Sequence, residues 1–349
     1  MTPRDMDILV VGAGALGLAT AAAFALNGAR VTVFDRSERP ANASAVAAGM
    51  LAPVFEAVLE EADADRAALY RYGRDLWPAF AEACGIELTR DGAEWVGPAE
   101  PLAGRARALG FTVEPTANGW RTPDDWRLTP AQALDAMRRA VLARGGRFVA
   151  AGVARIGTDP LEVVDETGRT CPGDAVVVAV GWTGSPPEGP AELTRLMGLV
   201  EPIKGQIVEL GGEGADAIGG VVRAPGVYLL PRAGRVIVGA TMEPGVTDCE
   251  VEAETVARLR AAAVAVVPEL AAAEVVHAQA GVRGAVPDGL PIAGAVPGAP
   301  GVFVALGPRR NGWLLAPLAA RTLTAAAAGE TPGPYAAAIG PDRFGLARP

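Results

Sequence analysis

The sequence predicts an α/β protein in which a Rossmann-type dinucleotide-binding domain is joined to a second, mainly antiparallel substrate domain. Three features predict it. An apolar strand runs straight into a GxGxxG turn near the start, a second strand, glycine turn and helix lie near the end, and short strands with Gly and Pro punctuation fill the middle.

The first unit is the most complete. Ile8 to Val11 is an unbroken apolar run suited to a strand buried on both faces, and Gly12, Gly14 and Gly17 follow it at once. Gly12 permits the tight turn, Gly14 lets the backbone approach a pyrophosphate, and Gly17 lets the helix from Ala15 to Leu26 lie against the strand. That helix aims its free N–H groups at the phosphates, and Asn27-Gly28 ends it. A second strand, Val31 to Phe34, closes on Asp35, near the spacing of about 20 residues at which a carboxylate meets a ribose hydroxyl. FAD and NAD fit these residues equally. Ile8 to Leu26 is also uncharged over nearly the length of a membrane span, roughly 20 residues. Its glycines, and Asp5 and Asp7 ahead of it, fit strand and buried helix instead, so a cytoplasmic protein without a membrane partner is expected.

From Ser37 to Pro53 the residues are small with almost no charge, able to lie flat against a planar ligand or to pack as a tight loop. Asp65 to Cys84 reads as an amphipathic helix with Leu69, Tyr72, Leu76, Trp77 and Phe80 on one side and a bend at Pro78. Gly85 to Trp126 changes to short strands and turns, an inserted antiparallel segment. Thr129 to Arg144 carries plain helix signals: Thr129 as N-cap, Pro130 at the first position, Gln132 closing a capping box, and Gly145-Gly146 as the stop. Leu134, Met137 and Val141 give it a buried stripe. Strands follow at Arg147 to Ile156, Leu161 to Val164 and Asp174 to Val180, the last returning the chain to the parallel sheet at Gly181.

Ile203 to Leu210, Val227 to Pro231 and Arg235 to Thr241 suit an antiparallel sheet with a tight turn at Ala233-Gly234. A helix spans Asp248 to Val267, and a further strand reaches Arg283. Val302 to Leu306, the turn Gly307 to Gly312 and an Ala-rich helix repeat the opening pattern, offering a second helix N-terminus to negative charge. The expected division is 1–84, 145–200 and 284–349 for the dinucleotide domain, with 85–144 and 201–283 for the substrate domain.

A chain of 349 residues, 50% of them hydrophobic, has ample material for two cores. Its net charge of -9 argues against a nucleic-acid partner, which needs clustered positive charge, and directs attention to small molecules. Cys84, Cys171 and Cys249 stand apart with no CxxC pair and no neighbouring His, so neither a disulfide framework nor a metal site is expected. His277, the only histidine, has no motif around it and reads as structural. Lys204 is the only lysine among 31 lysines and arginines. It is either an accident of composition or a place that needs a compact ammonium, or one whose pKa burial can lower.

Several stretches in order resemble the FAD-dependent D-amino acid oxidase superfamily and, within it, the glycine oxidases. They are Ala-Ala-Gly-Met-Leu-Ala-Pro at 47–53, Ile-Lys-Gly-Gln at 203–206, Tyr-Leu-Leu-Pro-Arg at 228–232, Val-Gly-Ala-Thr-Met at 238–242, Ala-Gly-Val-Arg at 280–283 and Arg-Asn-Gly-Trp-Leu-Leu-Ala-Pro at 310–317. The resemblance implies FAD lying between the two domains. Its contacts would come from Gly12, Gly14, Ala15, Leu16 and Gly17, from Asp35 and Arg36, from Ala43 and Ser44, and from Ala48, Gly49 and Met50. Val153, Gly181 and the final turn with Pro308, Arg309, Asn311, Gly312, Trp313 and Leu314 would complete the set. The resemblance further implies that Arg283 receives a substrate carboxylate, with Tyr228, Arg310 and Met242 around it. Two departures stand beside these positions: Pro308-Arg309 where glycine oxidases usually carry a His and an aromatic residue, and Gly284 where they carry a proline.

A guanidinium can hold a carboxylate with two parallel bonds, which suits Arg283 to its implied role, whereas Tyr228 on a strand reads equally as a packing residue. The expected activity is FAD-dependent oxidation of glycine, sarcosine or a small D-amino acid, with molecular oxygen as acceptor and a link to thiamine biosynthesis through iminoglycine. A dehydrogenase passing electrons to a quinone or carrier, and a flavin-binding subunit without turnover, are the alternatives. Self-association is left open.

Overall fold

The computed structural model describes residues 5–36 and 42–345. Residues 37–41 of the small-residue loop, and 1–4 and 346–349 of the expected dinucleotide domain, lie outside the described residues.

The apolar run at the start forms strand Asp7–Val11, in the middle of a six-stranded sheet. The spatial order is Ile292–Ala295, Val302–Leu306, Ala175–Val178, Asp7–Val11, Arg30–Asp35 and Arg147–Ala150. All neighbours are parallel except the first pair. Helix Ala15–Leu26 is buried almost all round because Pro130–Leu142 and Gly312–Ala328 both pack on it, which is why its sequence shows no polar stripe.

The second sheet has nine strands. Its long antiparallel pair, Glu201–Gly211 and Glu274–Ala285, sets Gly205 opposite Gly281 and Ile203 opposite Arg283. The inserted segment contributes Ala93–Val96, Glu114–Thr116 and Gly119–Thr122 to this same sheet. Val227–Arg232 and Arg235–Gly239 are joined through Ala233 and Gly234, with φ of 48° and 74°, the left-handed pair that matches strand twist in a two-residue turn.

Several local expectations change. The helix read over Asp65 to Cys84 is two, Ala64–Asp75 and Trp77–Cys84, with Pro78 in the first turn of the second, where a missing N–H is harmless. Its buried side takes Tyr70 and Gly73 in place of Tyr72, because a Cβ on Gly73 would lie 2.6 Å from Leu315 and 3.1 Å from the Leu314 carbonyl. Thr129 precedes helix Pro130–Leu142 without a side-chain cap bond, so no capping box forms there; Pro130 and the buried Leu134, Met137 and Val141 suffice. The strand read from Arg147 to Ile156 breaks into Arg147–Ala150 and Val153–Thr158, the second belonging to a separate three-stranded sheet. The helix expected from Asp248 begins only at Ala253. Helices Pro53–Leu59, Leu102–Ala108 and Ala191–Met197 have no signature in the sequence, each being too short to show a helical period. Among the described residues no helix is long and apolar enough to cross a membrane.

Candidate active site

Two adjoining cavities, each of about 360 Å³, share a wall that includes Ala43, Val46, Gly281, Arg283, Arg310 and Trp313. The first lies at the carboxyl ends of the parallel strands, the usual ligand crevice of such a sheet. Gly12, Gly14, Ala15, Leu16, Asp35, Ala43, Ser44, Gly181, Pro308, Arg309 and Gly312 line it. Gly12 has φ +107°, and a Cβ there would sit 2.4 Å from the Ala179 carbonyl, so only glycine makes the turn. Gly17 lies behind it, where a Cβ would come within 2.0 Å of the Gly12 carbonyl. Asp35 Oδ2 accepts the Ala13 N–H at 2.7 Å, and Ser44 Oγ accepts the Ala15 N–H at 2.9 Å. The N-termini of helices Ala15–Leu26 and Gly312–Ala328 both open on this cavity and favour an anionic ligand.

The second cavity lies over the antiparallel sheet. Ala48, Gly49 and Met50 enter its wall, with Gly205, Tyr228, Met242 and Asn311 and the charged Glu56, Arg223, Arg283 and Arg310. Arg283 lies across Gly205, where a Cβ would come within 2.2 Å of both Nη atoms. Its Nη1 donates to the Thr241 carbonyl at 3.3 Å and meets Met242 Sδ at 3.4 Å. Neither partner is an anion, and Arg283 forms no ion pair among the described residues. Burial lowers its pKa from the ordinary value, yet a guanidinium stays charged. A desolvated cation without an anion is a place for a ligand carboxylate.

Arg310 reaches the same cavity in a different state. Its Nη2 is 3.1 Å from Glu56 Oε1 and its Nη1 is 2.9 Å from Glu60 Oε1, and the Glu56 charge raises its pKa. Arg309, at φ 50°, pairs with Glu60 as well. Burial would raise Glu56, but Arg310 and Arg223 hold it below the ordinary carboxylate value. Arg223 Nη2 lies 3.3 Å from Glu56 Oε1. Burial raises the Tyr228 phenol above its usual pKa, so it stays protonated as a donor.

Glu56 and Arg223 escaped the sequence reading. The signal was present: each is the single charge in an apolar run, Pro53 to Leu59 and Val221 to Leu230. Helix Pro53–Leu59, which carries Glu56, is held at its start by Asp125, which accepts the Val54 N–H at 2.8 Å and the Phe55 N–H at 3.3 Å. Burial pushes the Asp125 carboxyl up to about 7 from 3.8. The folded state therefore holds a proton that the unfolded state has lost, and this group subtracts stability progressively as pH rises from about 4 to about 7. Asp125→Asn is expected to gain in melting temperature relative to wild type between about pH 5 and about pH 8. An identical difference at both pH values would show that Asp125 does not titrate in that window.

Other implied residues fall at varied distances from the cavities. Arg232 Nη2 donates to the Ala48 carbonyl at 2.7 Å, pinning the stretch with Gly49 and Met50. Trp313 lines both cavities and donates from Nε1 to the Ser44 carbonyl at 3.1 Å. Asn311 precedes its helix and donates to Tyr70 Oη at 3.3 Å, and Leu314 is buried behind the turn. Arg36 lines neither cavity and pairs with Glu166 at 2.5 Å; Val153 opens strand Val153–Thr158 of the three-stranded sheet and packs in the core. Lys204 is buried under Asp248, 2.7 Å away, and that hydrogen bond raises its pKa, the reverse of the lowering by burial that the sequence allowed.

Residues 7–326 match the FAD dependent oxidoreductase (DAO) family. Glycine oxidase of Pseudomonas aeruginosa is 31% identical over 373 residues, covering 95% of this chain and 98% of its own. The crystal structure of glycine oxidase from Geobacillus kaustophilus superposes with a TM-score of 0.83 at 28% identity, over 96% of this chain and 98% of that one. L-proline dehydrogenase from P. horikoshii reaches the same TM-score of 0.83 at 18% identity, a likeness of fold alone. FAD suits the first cavity on the chain's own terms. A glycine turn that side chains would fill, two helix N-termini and the Asp35 carboxylate meet there, and Gly181 leaves open space. With the match running through both sheets and both cavities, the chain belongs to the family of FAD-dependent oxidoreductases typified by D-amino acid oxidase, and its cofactor is FAD.

Proposed function

We propose that this flavoprotein oxidises glycine or another small amine bearing a carboxylate, such as sarcosine or a small D-amino acid, and passes the electrons to oxygen. The observation that carries the reading is Arg283, a desolvated guanidinium facing the cavity with no carboxylate partner among the described residues. FAD, when bound, supplies the acceptor for a hydride from the α-carbon. The chain binds and orients. Arg283 takes the substrate carboxylate with two parallel bonds, Gly205 leaves room for its guanidinium, and the Tyr228 hydroxyl offers a further donor. Trp95, Ile207 and Val227 add apolar wall and limit water.

Among the described residues Glu56 is the only acid in the wall of the second cavity, and it is engaged by Arg223 and Arg310. With Glu56 so paired, none of the described side chains of that wall is placed to act as a base, and the amine enters unprotonated. Loss of the hydride and an N–H proton leaves an imine, and oxygen takes the two electrons and two protons as hydrogen peroxide. From glycine the imine would be iminoglycine, which suits thiamine biosynthesis. A dehydrogenase using another acceptor is the second reading, favoured by Arg309 beside the first cavity, where glycine oxidases usually carry an aromatic residue. Peroxide formation under air, set against flavin reduction without it, separates the two: reduction with no peroxide would favour the dehydrogenase.

The doubled arginine gives a sharper check on the turn. Arg310→Ala is expected to raise KM for the amine, since Arg310 reaches the second cavity, whereas Arg309→Ala acts chiefly on flavin potential or oxygen rate. Steady-state kinetics and a potentiometric titration of both variants decide it, and the opposite pattern would put the register of the turn off by one.

A further inference from the structure

Strand Glu201–Gly211 presents opposite faces at Lys204, Gly205 and Gln206. Gly205 lies under Arg283 in the second cavity. Lys204 and Gln206 turn toward residues 241–252, the strap between strand Arg235–Gly239 and helix Ala253–Val266. Lys204 is 1% exposed, with Nζ 2.7 Å from Asp248 Oδ1 and 3.7 Å from Glu252 Oε1. Gln206 donates from Nε2 to Glu243 Oε1 at 3.0 Å, accepts the Glu252 N–H at 2.8 Å, and donates its own backbone N–H to Thr241 Oγ1 at 2.8 Å. The start of the strap supplies both atoms that Arg283 touches, the Thr241 carbonyl and Met242 Sδ. Met242 is itself exposed. The backbone just after it, Glu243–Pro244, pairs with Ile203 and Lys204, and the rest of the strap is fastened by the Lys204 and Gln206 side chains.

We propose that Lys204 is a positioning residue: by tying the strap down through Asp248 it fixes the Thr241 carbonyl and the Met242 sulfur, and so aims the Arg283 guanidinium at the ligand carboxylate. The place suits an ammonium, a compact donor on a buried stem, where a planar guanidinium needs room on both sides. The inference rests on the reading of Arg283 as the carboxylate clamp.

Acetate, which cannot react, is titrated into the yellow holoenzyme and followed by the flavin spectrum, for wild type, Lys204→Met, Lys204→Arg and Asp248→Asn. Acetate Kd is expected to rise about tenfold in Lys204→Met and Asp248→Asn, the scale of one charge-assisted bond, with Lys204→Arg failing to restore it. Combining either change with Arg283→Lys should cost less than the sum of the two, because both act through one guanidinium. Asp248 is 52% exposed, so its variant carries the test where Lys204→Met fails to fold. Unchanged acetate affinity in Asp248→Asn, or effects that simply add to Arg283→Lys, would overturn the proposal even if flavin content or melting temperature fell. A wild-type enzyme that binds acetate but is reduced by no small amine would remove the proposed function and leave this inference open to the same Kd comparison. One that binds no carboxylate would overturn both.

Discussion

Arg283→Met is expected to keep its flavin and its fold while losing roughly 10² to 10⁴-fold in kcat/KM for carboxylate-bearing amines, at about 1.5 to 3 kcal/mol for each of two charge-assisted bonds. The fold survives because the wild-type guanidinium contributes only a carbonyl and a sulfur contact to the protein, so its removal leaves no buried anion unpaired. Methionine also fills a similar volume over Gly205. The loss should follow the carboxylate. An amine lacking one, turned over poorly by the wild type, should be turned over about as poorly by the variant. Unchanged efficiency with glycine or sarcosine would mean that another group holds the substrate.

Gly205→Ala is expected to reproduce much of that loss from the other side. The new methyl would lie 2.2 Å from both Nη atoms and 2.4 Å from Cζ, closer than any contact can stand. The atoms that must yield are the far end of a flexible side chain, so the clash is relieved by swinging the guanidinium away and not by opening the sheet. KM for the amine should rise by at least about 10²-fold, with melting temperature and flavin content close to wild type. A variant with normal KM would show that Arg283 finds its working position elsewhere than across Gly205.

The dinucleotide unit was legible in the sequence because each of its parts has a local cause. The run before Gly12 had to be buried on both faces, Gly17 must clear the Gly12 carbonyl five residues back, and Asp35 accepts the Ala13 N–H from within the same β-α-β unit. The second cavity was less legible because its wall is assembled across the sheet. Gly205 and Arg283 are far apart in the chain, and nothing local at Gly205 announces that a guanidinium will lie on it. Glu56 is a similar case. Its meaning depends on Arg223 and Arg310, which arrive from a strand and a turn that no periodicity connects to helix Pro53–Leu59. Lys204 stood out by composition and by its place in Ile-Lys-Gly-Gln, and only the strap above it supplied a reason. The helix expected from Asp248 failed for the same cause: Asp248 and Glu252 are occupied with Lys204 and Gln206, so the chain takes no helix before Ala253.

The proposed activity requires that a small carboxylate-bearing amine reduce the flavin of this chain. Anaerobic titration of the purified yellow protein with glycine, sarcosine and D-alanine tests it most directly. At least one of them is expected to bleach the oxidised flavin spectrum, Arg283→Met to abolish the bleaching at the same concentration, and air then to restore the spectrum with one hydrogen peroxide per flavin. A flavin that stays oxidised with every carboxylate-bearing amine, in a protein shown to hold FAD, would contradict it.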